Sequence, residues 1–300
     1  MANWVFRIAF VSLLAGATGT SAQPVAAPTE HVTVTGERAR DEQIKSFVES
    51  RAAPTFRLGT VARWEEAICP TAMGLKPDFL KFVIHRVQDI AAQVGAPVSK
   101  IASCKSNVEI VFTTRPQGLL DEIRQEHPAY LGYYDNGEQA DHLATVTHSV
   151  QAWYMTATID LRGKVFVDSR KAEGACMGIN CPNNYEVTGS RLNSGLRSGL
   201  HHAIIVADPV KLVRYEIGTL ADYIAMLVLA QPRALDDCVP LPSILNLLAP
   251  GCAAAAAIQA IGDSDIGYLR GIYHMTADGT LRDQKDEIAY QMKQTLDGRK

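Results

Sequence analysis

Long apolar runs, a strong charge bias and the short signatures of common hydrolases are all missing from this 300-residue chain. It carries 29 Lys and Arg against 32 Asp and Glu, a formal net charge of -3 and no basic run. With a pI near 6.2, that balance excludes the electrostatic footprint of a nucleic-acid-binding domain. Beyond the first 22 residues no segment is apolar and long enough to span a bilayer, which takes about 20 residues. Residues 217–230 come closest, but Asp222 and Tyr223 interrupt them. Ser194 and Ser198 each adjoin a glycine without completing Gly-x-Ser-x-Gly, so no nucleophile elbow is visible. Gly262-Asp263-Ser264-Asp265 follows an Ala-rich stretch and opens a helix, where Ser264 or Asp263 reads as an N-cap rather than a nucleophile.

What is present first points to a compartment. Arg7 precedes an apolar run over residues 8–15, and small residues follow, ending in Thr20-Ser21-Ala22. A positive start, a short apolar middle and a small-x-small end predict a secretory signal peptide over 1–22. Cleavage would begin the mature chain at Gln23 and, by removing Arg7, take the net charge from -3 to -4. The expected location is periplasmic or secreted, with no lipoprotein anchor, because no Cys follows the signal. Six cysteines in an exported chain favour disulfides over metal thiolates. They allow fifteen pairings, among which spacing favours local bridges: Cys69 with Cys104, Cys176 with Cys181, Cys238 with Cys252. Cys176 and Cys181 are separated by four residues, not the two of a redox motif, so this pair reads as a staple.

Residues 23–40 read as a flexible leader containing a short edge strand at 31–36, and 41–300 as one domain with a loop excursion at about 170–200. Helical spacing marks 41–51, 78–94, 117–125, 210–231, 253–261, 265–273 and 284–296. The helix at 78–94 has Pro77 at its start and Gly95 at its stop, with Phe79, Phe82, Val83, Val87, Ile90, Ala91 and Val94 on an apolar stripe. Strands are expected around Arg63-Trp64, over 108–112, over 150–159 with a hairpin into 164–168, and over 202–207. Strands and helices mix without strict alternation, so the class is α+β.

Several residues could carry chemistry. His201 and His202 are neighbours on a strand and point to opposite faces, which suits surface or structural roles better than one shared metal. Arg63-Trp64-Glu65 and Trp153-Tyr154 are polar-aromatic groups that could line a sugar or peptide groove or sit half-buried in a sheet. Asp222 lies in an apolar helix, so it needs a cleft mouth or a basic partner, with Arg214 and Arg270 the candidates.

At this helix the chain resembles an exported bacterial family of unknown function with a zincin (metzincin)-like fold. The resemblance rests on Arg63-Trp64, on Asn107 with the strand after it, on the helix over 220–231, and on Asp265 with Tyr268-Leu269-Arg270-Gly271-Ile272-Tyr273. It implies a single zincin-like domain: a mixed sheet packed on a backing helix and a long central helix, closed by C-terminal helices. In zincins the central helix carries His-Glu-x-x-His, whose two histidines bind zinc while the Glu activates water. The matching register here is Ala221-Asp222-Tyr223-Ile224-Ala225, which offers no ligand at either histidine position. The resemblance therefore implies no catalytic zinc and no cofactor, and the lack of a second long apolar run implies no transmembrane segment after signal removal. It implies a non-catalytic protein that binds a peptide, a protein partner or cell-wall material in a degenerate protease-like cleft, an extended peptide adding a strand to the sheet edge. Candidate ligand-binding residues are Asp222, Tyr223, Arg214, Glu216, Trp153 and Tyr154. The alternative is a hydrolase whose acid/base site lies around Asp222, with Glu216 or a histidine from elsewhere.

Overall fold

An eleven-residue strand, Arg197–Ala207, organises the molecule in the computed structural model, which describes residues 29–101, 103–168, 185–190 and 193–298. The strands are β1 (Arg63–Trp64), β2 (Pro70–Met73), β3 (Val108–Phe112), β4 (Val150–Ile159), β5 (Val165–Val167) and β6 (Arg197–Ala207). They form one mixed sheet in the order β2-β3-β6-β4-β5. β2 and β3 run parallel to each other, and β3 runs parallel to the second half of β6, whose first half takes β1, also parallel. β4 runs antiparallel to β6, and β5 antiparallel to β4. Alternate residues of a strand face opposite sides. Accordingly Ala203, Ile205 and Ala207 enter the main core, while Ile204 and Val206 enter a smaller cluster with Leu120, Leu131 and Trp153. Burial on both faces is why the Ala-Ile-Ile-Val-Ala run is continuously apolar.

The α-helices among the described residues are α1 (Thr29–Arg51), α2 (Pro77–Val94), α3 (Pro116–Glu126), α4 (Gly137–Leu143), α5 (Ile217–Leu229), α6 (Asp263–His274) and α7 (Leu281–Leu296). The chain divides at Arg38: the first unit contributes helical residues from Thr29, and the second, Ala39–Lys300, carries the whole sheet. The class is α+β, as composition and order predict. α2 keeps its expected bounds, with Pro77 in the first turn and Gly95 as a left-handed C-cap at φ 85°. α5 is buried from Thr219 to Leu229, as a helix apolar on all sides must be.

Several local expectations are corrected. Residues 31–36 are helical within α1 rather than a strand, since β-branched residues favour a strand only where a neighbouring strand receives them. Phe79 and Phe82 are each 45% exposed, whereas Val83, Val87, Ile90, Ala91 and Val94 are buried, so the true stripe starts one turn later. The central helix begins at Ile217, not 210; Asp208 to Tyr215 form turns bonded from Lys211 N to Asp208 O and from Tyr215 N to Leu212 O, and Glu216 is extended. Residues 253–257 form a 3-10 turn rather than the start of a helix. β6 starts five residues earlier than expected because Ser198, polar and 2% exposed, is satisfied by the hydroxyls of Thr55 and Thr60. α6 is capped by Gly262, whose N–H Asp265 accepts, instead of by Asp263 or Ser264.

Disulfides join Cys69 to Cys104 and Cys238 to Cys252, the two expected pairs within the described residues. Cys176 and Cys181, most of the expected loop excursion, the expected signal segment over 1–22 and residues 23–28 of the expected leader lie outside them. Paired cysteines fit an oxidising compartment outside the cytoplasm. Among the described residues no helix is long and apolar enough to cross a membrane.

Candidate functional site

The six candidate residues do not converge on one groove. Asp222 is 2% exposed, and its partner is neither Arg214 nor Arg270 but Arg86 of α2. The guanidinium grips the carboxylate with two nitrogens, Nε to Oδ1 and Nη2 to Oδ2, the latter at 3.1 Å, while the Ile261 N–H donates to Oδ2 at 2.8 Å. The hydrogen bond to Asp222 holds Arg86 more firmly protonated than an ordinary arginine, against partial burial. Asp222 thus fastens α5 to α2 and to the chain before α6. Three donors meet the carboxylate, one on Oδ1 and two on Oδ2. Tyr223 is buried beside it in sequence but packs in the core, where burial pushes its hydroxyl pKa up. Ala221 and Ala225, the positions compared with zinc-ligating histidines, are fully buried.

The other end of α5 explains Trp64 and Tyr154. The last four carbonyls of a helix lack intrahelical partners. Here aromatic donors supply them: Tyr154 Oη to Leu227 O at 2.7 Å and Ala230 O at 3.2 Å, Trp64 Nε1 to Val228 O at 2.7 Å, and Tyr273 Oη to Leu229 O at 2.9 Å. Burial raises the pKa of the Tyr154 and Tyr273 hydroxyls, which suits donors and not bases. Arg63, adjacent to Trp64, does the same for α6, its Nη1 reaching the carbonyls of Ile272, Tyr273 and Met275 at 3.4, 3.3 and 2.9 Å. Asn107 and Asp265, two further residues of the resemblance, also fasten backbone. Asn107 Oδ1 accepts from Cys69 N at 2.7 Å, and Asp265 accepts from Ser243 Oγ at 2.6 Å and Ile244 N at 2.8 Å.

Three cavities divide the remaining candidates. Glu216 and Asp222 line one of about 410 Å³ between α2 and α5, with Phe82, His85, Arg86 and Asp89. Arg214 lines another, of about 500 Å³, beside the 247–253 segment. Trp153 and Tyr154 line the third, of about 280 Å³, along β4. β5 pairs with the outer edge of β4 over Ala157–Ile159 and Asp168 N donates to Thr156 O, which leaves room beside residues 150–155.

This β4 cavity has a distinct chemistry. Its wall combines Phe56, Tyr133, Trp153 and Tyr154 with Thr145, Thr147, Gln151 and Gln231. Among the described residues, no Lys, Arg, Asp or Glu lines it; His142 is the ionisable side chain besides the tyrosines. Phe56 stacks on Tyr133 with centroids 4.1 Å apart and planes 17° from parallel, yet remains 60% exposed. Trp153 is 4% exposed and donates Nε1 to Leu143 O at 2.6 Å, so its ring is a fixed wall. Gln231 Oε1 is buried and has no hydrogen-bond partner among the described residues. Gly132, at φ 93°, lets the 131–133 segment lie against β4: a Cβ there would sit 2.6 Å from Tyr154 O. Sequence reasoning missed Phe56, Tyr133 and Gln231, which carry no periodic or motif signal; Arg86 had one, a charge four residues after Phe82 on a mostly apolar helix.

The expected placement of His201 and His202 on opposite faces is not kept, because a bulge interrupts the alternation and Leu200 and Ala203, on either side of the pair, both enter the main core. Between Met155–His202 and Thr156–Leu200 the pairing skips His201, a bulge. His202 lies 3.4 Å from Glu109 and 4.8 Å between centroids from Tyr130, with its pKa lowered by burial. Among the described residues, no three His, Cys, Asp or Glu side chains gather as metal ligands would. No protein-family model, curated protein or solved structure matches this chain.

Proposed function

We propose that this is an exported, non-catalytic binding protein whose β4 cavity takes an uncharged, hydroxyl-rich chain, a glycan of the cell wall. The observation that carries this reading is the wall: exposed Phe56 backed by Tyr133 at the lip, Trp153 as a fixed side, and threonines and glutamines instead of charges. A saccharide ring offers an apolar face to an aromatic surface and hydroxyls to amides. Gln231 and Gln151 add amide groups to the wall, which suit hydroxyl partners. The hold of Arg86 and the Ile261 N–H on Asp222 favours binding over hydrolysis at that residue.

A strand-adding peptide is the second reading, favoured by the one-sided stretch of β4. Gly132 argues against it, because the 131–133 segment already lies against the Tyr154 carbonyl that an added strand would use. Descent from a zincin-like fold belongs to the same proposal. It draws support from the order of a backing helix, parallel strands, an antiparallel β4, and β6 leading through turns into α5.

Signal removal would leave Trp64 and Trp153 as the indoles, and Trp153 borders the cavity. Titration of soluble cell-wall glycan fragments should therefore change tryptophan emission. Phe56→Ala should weaken binding about tenfold or more while leaving thermal stability unchanged, as expected for an exposed aromatic contact. Saturable binding of uncharged extended peptides, with none of glycans, would replace the glycan by the peptide; binding of neither would sink the proposal.

A further inference from the structure

The turn between β6 and α5 presents two aliphatic and two basic side chains to solvent. Val213 is 86% exposed and Val210 66%, the two highest values for aliphatic side chains outside Ile101 among the described residues. Lys211 and Arg214 are also exposed. The turn is built rigidly. Asp208, 8% exposed, accepts from Val210 N at 3.0 Å through Oδ1, its carbonyl accepts from Lys211 N at 3.1 Å, and Leu212, 3% exposed, plugs into the core. The two i to i+3 bonds close separate turns over 208–211 and 212–215, the first displaying Val210 with Lys211 and the second Val213 with Arg214. Buried Leu212 shows that the exposure of its neighbours is fixed by the fold and does not reflect a loose loop.

The charges face a cavity with an apolar rim. Lys211 and Arg214 line the 500 Å³ cavity with Leu248, Pro250 and Ala253, and no carboxylate lines it among the described residues. Arg214 donates to Tyr215 Oη at 2.9 Å and lies over that ring, and it pairs with no acid among the described residues. Lys211 reaches only Asp208, at 3.9 Å, with its side chain 60% exposed. Glu216 follows closely but lines the α2–α5 cavity instead. Exposed aliphatics beside exposed cations, one held only loosely by Asp208, suit a surface that is oily and negative at once.

We infer that this turn docks the protein on an anionic phospholipid bilayer, Val210 and Val213 entering the acyl boundary while Lys211 and Arg214 take headgroup phosphates. Two cations and two valines give weak, reversible, salt-sensitive attachment, suited to holding a binding cavity near an envelope surface. The inference stands independently of what the β4 cavity binds.

Sedimentation of the disulfide-bonded mature protein with phosphatidylcholine vesicles, with and without phosphatidylglycerol, tests it. We expect binding to the anionic vesicles that falls with added salt and is weak on pure phosphatidylcholine. Lys211→Glu with Arg214→Glu should reduce it by about 30-fold or more, each cation being worth roughly fivefold near such a surface. Val213→Asp should also abolish it. All three positions are exposed, so the variants should melt with the wild type. No sedimentation, equal sedimentation with both vesicle types, or unchanged binding in the double variant would each overturn the inference.

Discussion

Arg86 of α2 holds Asp222 of α5 with two nitrogens, and this pair, 136 positions apart in the chain, is the principal polar tie between the two helices. Asp222 is 2% exposed while the Arg86 side chain is 36% exposed. The carboxylate is the buried partner, so it is the one that suffers when the pair is broken. Arg86→Ala should destabilise by about 2–4 kcal/mol, because it strands a buried charge. Replacing both residues by leucine should recover most of that loss. Urea unfolding of the single and double variants would show the difference; equal losses would mean that the pair does not account for the burial of Asp222.

The capping of α5 by aromatic donors has its own signature. Tyr154→Phe removes the hydroxyl shared by the carbonyls of Leu227 and Ala230 and keeps the ring. We expect a loss of about 1–3 kcal/mol, the cost of leaving buried acceptors unmet, and a similar loss for Tyr273→Phe. Denaturant midpoints that do not move would show that water replaces the lost donors.

Asp265 makes stability depend on pH. Burial pushes its carboxyl up to about 6 despite donors from Ser243, Ile244 and Gly262. An unfolded aspartic acid ionises near 3.9. Between about pH 4 and 6 the unfolded chain therefore releases a proton that the folded protein keeps, so this residue's contribution falls as pH rises and is fully lost above 6. Over that window the loss is about 3 kcal/mol. His202 works the other way: its lowered pKa costs stability as pH falls below about 6.5. Comparing Asp265→Asn with wild type from pH 4 to 7 cancels the histidine. The stability gap should shift in the asparagine's favour as pH rises, and a gap that stays constant would contradict it.

The two disulfides should differ in strength. Cys69–Cys104 spans a sequence separation of 35 and Cys238–Cys252 one of 14. If the bridges act by restricting the unfolded chain, losing the first should cost about 4 kcal/mol and the second about 3. Double alanine variants of each pair, followed by thermal melting, would measure this. A larger loss for the shorter loop would place the effect in the packing around the Ile244–Leu247 turn it encloses.

Much of the fold was legible where the physics is local. Pro77 and Gly95 bracket α2 because one suits a helix start and the other a left-handed stop. The 203–207 run reads as a doubly buried strand, and the alternation over 108–112 as β3. Two cysteine pairings followed from short spacing. The candidate site was less legible. Trp153, Tyr154 and Trp64 announced themselves as polar-aromatic groups, yet only the packing makes two of them helix fasteners and one a cavity wall. Phe79 and Phe82 fit a helical period but face solvent, since periodicity ranks faces without saying where the stripe begins.

By itself, then, the sequence determined the α+β class, the principal elements, the local staples and the demand that Asp222 find a partner. Tertiary structure alone decided that the partner is Arg86, that the six candidate residues fall into separate surroundings, and that Phe56, Tyr133 and Gln231 meet Trp153 beside β4. The division follows from range. Propensity, capping and hydrophobic period act within a few residues, whereas an ion pair or a cavity wall is assembled from segments far apart in the chain, whose meeting depends on how every layer packs at once.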